Sequence, residues 1–174
     1  MRATILMLTI LFFTLTAIQS SGDDGSKRSK EFQVLNRFIG TWDIINVISP
    51  SGGDSSRQNL VSHRTWSQGG KFIRFDEALV KGGPEFHMLL TYDPVNKNYP
   101  ATAMNGTTRI TLTGTWDEKT ATMSFTGTDE TGTRCISTHR FIDKDKAEAS
   151  GTFTDASDKV LAKISWNQER RKPE

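Results

Sequence analysis

Short segments in which apolar and polar residues alternate follow one another along most of this chain, and turn-forming residues separate them. Ten such segments lie near 41–49, 57–67, 71–80, 85–92, 98–105, 108–116, 120–128, 133–142, 146–154 and 160–169. The alternation has the two-residue period of strands, and Gly, Asn and Asp at the breaks suit tight turns. Helical patterns do not alternate with these strands, so a parallel α/β fold is excluded.

This pattern favours a sheet that closes on itself. An open sheet of this size would leave two edges that can pair with other chains, whereas a barrel leaves none. A single short helix is indicated by Phe32, Leu35 and Phe38, which recur in three-residue steps. We predict an all-β fold, a closed or nearly closed antiparallel meander β-barrel of about ten strands with one short N-terminal helix. An open β-sandwich is the alternative.

The N-terminus has the pattern of a secretory signal peptide. Arg2 gives it a positive start, and Ile5 to Ala17 form an apolar run shorter than the roughly 20 residues that span a bilayer as a helix. We predict a signal peptide over residues 1–21, a polar linker over 22–30 and a single barrel domain over 31–171. The protein is then secreted or periplasmic, with no membrane span in the mature chain. An uncleaved N-terminal anchor is the alternative.

The charges of the chain are nearly balanced. Its 22 Lys and Arg residues and 20 Asp and Glu residues give a formal net charge of +2, and the two signs are interspersed. A mixed surface of this kind argues against nucleic acid as a partner. Cys135 is the only cysteine, so an intrachain disulfide is excluded, and its strand-like surroundings predict a small buried side chain.

A glycine before a tryptophan marks the start of the first strand, at Gly40 and Trp42. Glycine lets the backbone pack closely while the indole ring covers the open base of a barrel. In the last strand Arg170 shares the apolar face of Trp166, so its guanidinium can reach inward to an indole ring. We predict that Gly40, Trp42 and Arg170 form a structural plug at one barrel end.

The Gly40-x-Trp42 step after a short helix resembles the N-terminal motif of lipocalins and the wider calycin group. A broader likeness is carried by Phe38 to Trp42, Gly69 to Phe72, Tyr92-Asp93-Pro94 with Lys97 and Tyr99, and Gly114 to Asp117. In these residues the chain resembles the bacterial secreted family called domain of unknown function 1579. The resemblance implies a lipocalin-like fold and no particular activity.

Polar residues on both faces of several segments favour a partly polar cavity over a solid core. Ser62 and Arg64, for example, share a segment with Trp66. Inside a barrel, an arginine can bind a carboxylate or another anionic head. We predict that Arg64, Trp66, Arg109 and Arg134 bind an amphipathic ligand with an anionic head. Simple exposure of these arginines to solvent is the alternative.

Metal and haem sites are not indicated. His63, His87 and His139 lie on three predicted strands without the short spacing of a preformed metal site, and we predict that they are exposed or hydrogen-bonded. Haem-binding barrels that resemble nitrobindin also begin with Gly-x-Trp, but they hold iron through a histidine near the last strand. The segment 160–171 has no histidine. We predict no metal and no cofactor.

Catalytic signatures are also lacking, since the chain has no Gly-x-Ser-x-Gly elbow, phosphate loop or His-Glu-x-x-His helix. The prediction is an exported, non-catalytic barrel that binds a small apolar or amphipathic ligand. One alternative is a cavity-based hydrolase or isomerase with His87 or His139 as base, which a histidine buried beside a carboxylate would favour. Another is a structural or envelope-interaction module, which a barrel filled by side chains would favour.

Overall fold

The computed structural model of the protein describes residues 29–172 except Gln68 and Pro84, so the predicted signal peptide and most of the predicted linker lie outside the described residues. Its elements are α1 (Lys30–Val34), a 3₁₀ helix (Leu35–Arg37), β1 (Gly40–Pro50), β2 (Ser56–Trp66), β3 (Ile73–Leu79), β4 (Phe86–Leu90), β5 (Tyr99–Asn105), β6 (Thr108–Asp117), β7 (Thr122–Asp129), β8 (Arg134–Phe141), β9 (Lys146–Thr154) and β10 (Val160–Arg170). All ten predicted strands are present, and their ends lie within two residues of the prediction. The predicted all-β class is confirmed.

The strands form one closed barrel in which each strand pairs with its neighbours in sequence. The barrel closes between its first and last strands, where β1 pairs with β10 from Trp42↔Arg170 to Pro50↔Ala162. Closure gives every strand two partners and removes the edges that an open sheet would expose. The meander barrel is therefore confirmed, and the open sandwich is wrong.

Aspartate side chains fix several of the hairpin turns. Asp129 Oδ1 accepts hydrogen bonds from the backbone N–H groups of Thr131 at 2.8 Å and Thr133 at 2.9 Å. Asp155 holds the turn between β9 and β10 in the same way. Because such side chains stabilise the turn conformation locally, the turn residues marked the strand ends accurately in the sequence.

The N-terminal helix closes one end of the barrel. Ser29 caps α1, since its side chain accepts a hydrogen bond from the N–H of Phe32 at 3.4 Å. Leu35 and Phe38 follow and are almost completely buried. The Phe38 ring packs edge-on against Phe141, with 4.9 Å between ring centroids. An isolated helix of this length is unstable in water, so packing against the barrel holds it in place.

Gly40, Trp42 and Arg170 meet at this closed end. Trp42 is fully buried, and its Nε1–H donates to the carbonyl oxygen of Phe38 at 2.8 Å. Gly40 has a φ of 126°, and a Cβ at that position would lie 2.8 Å from Arg170 Nη1. The backbone conformation therefore favours glycine here, and a side chain at this position would also displace the Arg170 guanidinium.

Candidate functional site

The barrel encloses a cavity of about 530 Å³. It extends from Phe38 at the closed end to Leu79, Phe86 and Asn105 at the opposite ends of their strands, which we call the mouth. This volume falls within the roughly 300–1,000 Å³ typical of small-molecule sites. The interior is therefore not filled by side chains, which is the arrangement that would have favoured a structural module.

Two strands leave this space open by presenting small side chains to the interior. The inward positions of β5 include Ala101 and Ala103, and those of β9 include Ala149 and Gly151. A Cβ at Gly151 would lie 3.3 Å from the ring of Trp166, which reaches across from β10. The cavity thus depends on small residues at a few inward positions of these strands.

Most of the cavity wall is apolar. The apolar side chains include Ile44, Ile48, Leu60, Leu79, Phe86, Met88, Ile110, Leu112, Phe125, Phe153 and Ile164. Arg64, Glu77, His139 and Gln168 provide polar groups, and Arg64 lies directly over the ring of Trp42 at the closed end. We call the polar group formed by these four residues the floor. An apolar wall with a few polar groups is suited to an amphipathic molecule.

Arg64 is held rigidly at the floor. It is only 2% exposed, and its Nε–H donates to Ser62 Oγ at 2.9 Å. Its Nη2 donates to Gln168 Oε1 at 2.7 Å and lies 3.4 Å from Glu77 Oε1. Because β2, β3 and β10 supply these partners, the guanidinium is oriented before any ligand arrives.

The surroundings of Arg64 weaken its proton affinity without removing its charge. Burial lowers the pKa of Arg64 to about 10, while the carboxylate of Glu77 acts in the opposite direction. The guanidinium carbon also lies 5.2 Å from the ring centroid of Trp42 and 5.0 Å from that of Phe75. Cation–π attraction to these rings offsets part of the cost of burial. Arg64 is therefore cationic at neutral pH.

Three buried polar atoms of the cavity have no hydrogen-bond partner among the described residues. They are Arg64 Nη1, His139 Nε2 and Asn46 Oδ1, and all three residues line the cavity. A buried polar atom left unpaired costs on the order of 1–3 kcal/mol. These atoms are the places at which the polar end of an enclosed molecule would be recognised.

His139 lies buried in the barrel, so the prediction that it is exposed or hydrogen-bonded is wrong for its Nε2. Its ring centroid lies 4.9 Å from those of both Phe38 and Phe141. Burial, and then the positive charge of Arg64, hold the pKa of His139 well below its ordinary value of 6.5. His139 is therefore neutral at pH 7 and adds no charge to the floor.

The other two histidines lie on the outer face of the barrel. His87 Nδ1 is 2.9 Å from Asp76 Oδ1, and His63 Nδ1 is 3.2 Å from Thr41 Oγ1. The only histidine paired with a carboxylate in the described ranges is thus outside the cavity. Over those ranges, no group of three or more His, Cys, Asp and Glu side chains is placed to hold a metal ion. The expected absence of a metal or cofactor stays a prediction.

The predicted ligand-binding arginines are separated by the barrel wall. Arg64 lies inside, whereas Arg109 and Arg134 lie on the outer face, where they pair with Glu130 and Asp158. Side chains alternate across a strand, and the neighbours of these two arginines that line the cavity are Thr108 and Ile110 on β6 and Cys135 on β8. The positions of Arg109 and Arg134 therefore do not support their predicted contact with a ligand.

Trp66 faces inward on the same strand as Arg64 but does not line the cavity. Its Nε1–H donates to Asn36 Oδ1 at 3.1 Å, and its ring stacks on Phe32 with 6.2 Å between centroids. It therefore packs against the N-terminal helix, below the space that a ligand would occupy.

Sequence reasoning assigned no binding role to three residues of the floor, which are Glu77, His139 and Gln168, and considered His139 only as a catalytic base in the enzyme alternative. Each stands two residues from an inward-facing aromatic side chain on its own strand. The two-residue period of the strands was the signal that could have found them. Cys135, predicted to be a small buried side chain, is buried and lines the cavity.

No family model and no curated protein matches the chain. Solved structures do resemble it. The protein Rv2717c from M. tuberculosis has a TM-score of 0.66 at 11% identity, covering 83% of this chain and 99% of that one. The S-type phycobiliprotein lyase CPES from Guillardia theta has a TM-score of 0.58 at 11% identity, covering 82% and 93%.

A third similar structure is a protein of unknown function from the DUF3598 family of Nostoc punctiforme. Its TM-score is 0.56 at 8% identity, and the match covers 79% of this chain and 49% of that one. The chain thus spans about half the length of this neighbour. At such low identities the likeness establishes a shared barrel fold and nothing about activity. Within the described ranges, no helix is long and apolar enough to cross a bilayer.

Proposed function

We propose that the protein binds a small amphipathic molecule by enclosing it in the barrel, without catalysing a reaction. One observation carries this proposal: Arg64 presents an unpaired, buried N–H at the floor of a cavity whose wall is largely apolar. Satisfying that donor and covering the apolar wall both stabilise a complex with a molecule that has one polar and one apolar end.

The arrangement sets the orientation of the ligand. Arg64 and His139 lie toward the closed end, beside Trp42 and Phe38. The polar end of the ligand therefore enters first and reaches Arg64, and its apolar body lies along the wall toward the mouth. This orientation leaves only the far tip of the ligand near solvent.

The structural neighbours support the barrel fold of this chain and no particular ligand or activity. One of them is named a phycobiliprotein lyase. We infer for this protein only the shared fold and not a lyase activity, because 11% identity does not assign a role to individual residues.

The proposal is tested by titrating dodecan-1-ol into the purified protein and following tryptophan fluorescence. Trp166 lines the cavity, so its emission should change saturably. Ala149→Leu places extra methyl groups in the cavity and should weaken binding by about tenfold or more, given the cost of overpacking. Ser150→Leu adds the same side chain on the outer face of β9 and is the matched control. A lack of saturable change, or equal affinity in Ala149→Leu and Ser150→Leu, would contradict the proposal.

We further propose that the protein is exported and belongs to the family called domain of unknown function 1579. The sequence pattern of residues 1–21 supports export, and the motif residues Phe38 to Trp42 and Gly114 to Asp117 support the family. N-terminal sequencing of protein isolated from its own host tests whether the protein is exported. A mature chain starting near residue 22 is expected, and a chain that retains Met1 would contradict export.

A further inference from the structure

The floor of the cavity carries one positive and one negative charge. The Arg64 guanidinium lies 3.4 Å from Glu77 Oε1, and the same oxygen accepts a hydrogen bond from Ser62 Oγ at 2.9 Å. Both Arg64 and Glu77 line the cavity. Because His139 is neutral, the charge of the floor is balanced without a ligand.

A second cation beside the same tryptophan ring is already compensated. Arg170 lies over the same Trp42 ring as Arg64, but Asp145 is 3.4 Å from its Nε and the carbonyl oxygen of Lys144 accepts from it at 3.1 Å. The surroundings of Arg64 therefore provide no excess positive charge for an anionic ligand.

The hydrogen-bonding capacity left at Arg64 is also limited. Nε is bound to Ser62 and Nη2 to Gln168 and Glu77, so only Nη1 remains unpaired. A carboxylate or phosphate is clamped by parallel N–H groups on two nitrogens. One remaining nitrogen instead matches a single oxygen acceptor.

We propose that Glu77 makes the site selective for amphiphiles whose head is an uncharged oxygen acceptor, a carbonyl or a hydroxyl, over amphiphiles with a carboxylate head. This inference rests on the proposed enclosure of an amphipathic ligand, and it replaces the anionic head predicted from the sequence. A ligand carboxylate at Arg64 would lie close to Glu77 in a water-poor site, where like charges repel strongly. A ketone or alcohol accepts from Nη1 without that repulsion.

The test compares probes of equal chain length, dodecan-2-one, dodecan-1-ol and dodecanoate, by calorimetric titration at pH 7.5. In the wild-type protein the ketone and the alcohol should bind more tightly than dodecanoate by on the order of tenfold or more, as expected for like charges at short range. Glu77→Gln retains an oxygen that can accept from Ser62 and Arg64 but removes the charge, so it should reduce or reverse this ratio. Glu85→Gln is the control, because Glu85 is an exposed carboxylate near His87 on the outside of the barrel.

Tighter or equal binding of dodecanoate to the wild-type protein would overturn the selectivity while leaving the enclosure of a ligand intact. An unchanged ratio in Glu77→Gln would overturn the role of Glu77. Binding of none of the three probes would overturn the proposed function itself and the selectivity with it. If Glu77→Gln does not fold, the selectivity is tested on the wild-type protein by comparing the affinities of dodecanoate and methyl dodecanoate. The ester keeps the carbonyl without the charge, so it should bind as the ketone does, and binding as weak as that of dodecanoate would overturn the selectivity.

Discussion

The guanidinium of Arg170 lies over the indole of Trp42, with its Cζ 4.3 Å from the ring centroid. Its Nη2 donates to the carbonyl oxygens of Arg37 and Lys144, both at 2.9 Å. One side chain of the last strand thus joins the first strand, the N-terminal 3₁₀ helix and the loop between β8 and β9. The closed end of the barrel is therefore one connected unit beneath the cavity.

Removing the indole of Trp42 should destabilise this end. Trp42→Ala is expected to lower the free energy of unfolding by about 3–5 kcal/mol, because a large buried aromatic group is lost and the Nε1–H bond to Phe38 goes with it. Urea denaturation followed by circular dichroism measures the change. Trp116→Ala, at a less buried tryptophan, should cost less. A loss below about 1 kcal/mol for Trp42→Ala would show that the plug is not structural.

Gly40 tests whether backbone conformation and the guanidinium both constrain this position. Gly40→Ala should cost about 1–3 kcal/mol or more, because alanine is strained at a φ of 126° and its Cβ would crowd Arg170. Gly52→Ala is the matched control, since Gly52 has a φ of 83° and nothing lies within 4 Å of its Cβ position. Equal losses in the two variants would mean that contact with Arg170 adds nothing.

The ion pair between the buried Arg64 and the part-buried Glu77 should respond differently to single and double substitution. Arg64→Ala leaves the Glu77 carboxylate without its partner and should cost about 3–5 kcal/mol, whereas Arg64→Met with Glu77→Met should recover much of that loss. Arg109→Ala removes an exposed arginine and should cost only about 0–1 kcal/mol. Chemical denaturation of the variants measures these values. A double variant no more stable than Arg64→Ala would contradict the account of the floor.

His139 should make the protein less stable in mild acid. Its pKa is well below 6.5 in the folded chain, so the unfolded chain binds a proton over a range where the folded chain does not. The free energy of unfolding should therefore fall as the pH drops below about 6.5, by up to ~1.4 kcal/mol per pH unit from this group. His139→Leu should remove that component between about pH 7 and pH 5, measured by urea denaturation across this range. The same slope in the variant would assign it to other groups.

Most of the fold could be predicted because its signals are local. Turn residues such as Asp129 and Asp155 form hydrogen bonds within their own hairpins, so the ends of the strands are encoded close to where they occur. The glycine and tryptophan of the first strand likewise marked the closed end. Barrel closure followed from the number of strands and the cost of exposed edges.

The candidate site was predicted less well because it depends on which face each strand presents. Arg64 does line the cavity, whereas Arg109 and Arg134 lie on the outer face. A shift of one residue along a strand moves a side chain from one face to the other. The apolar neighbours Ile110 and Leu112 carried the correct phase on β6. The partners that neutralise Arg64 come from β3 and β10, and sequence spacing does not reveal contacts between distant segments.

A crystal structure of the protein with dodecan-2-one tests ligand enclosure most directly. We expect one molecule inside the barrel, with its carbonyl oxygen about 2.9 Å from Arg64 Nη1 and its alkyl chain directed toward the mouth. A carbonyl that points toward the mouth would contradict the role of the floor. Ligand bound only on the outer wall, or a cavity that stays free of ligand at saturating concentration, would contradict the proposed enclosure of an amphipathic molecule in the barrel.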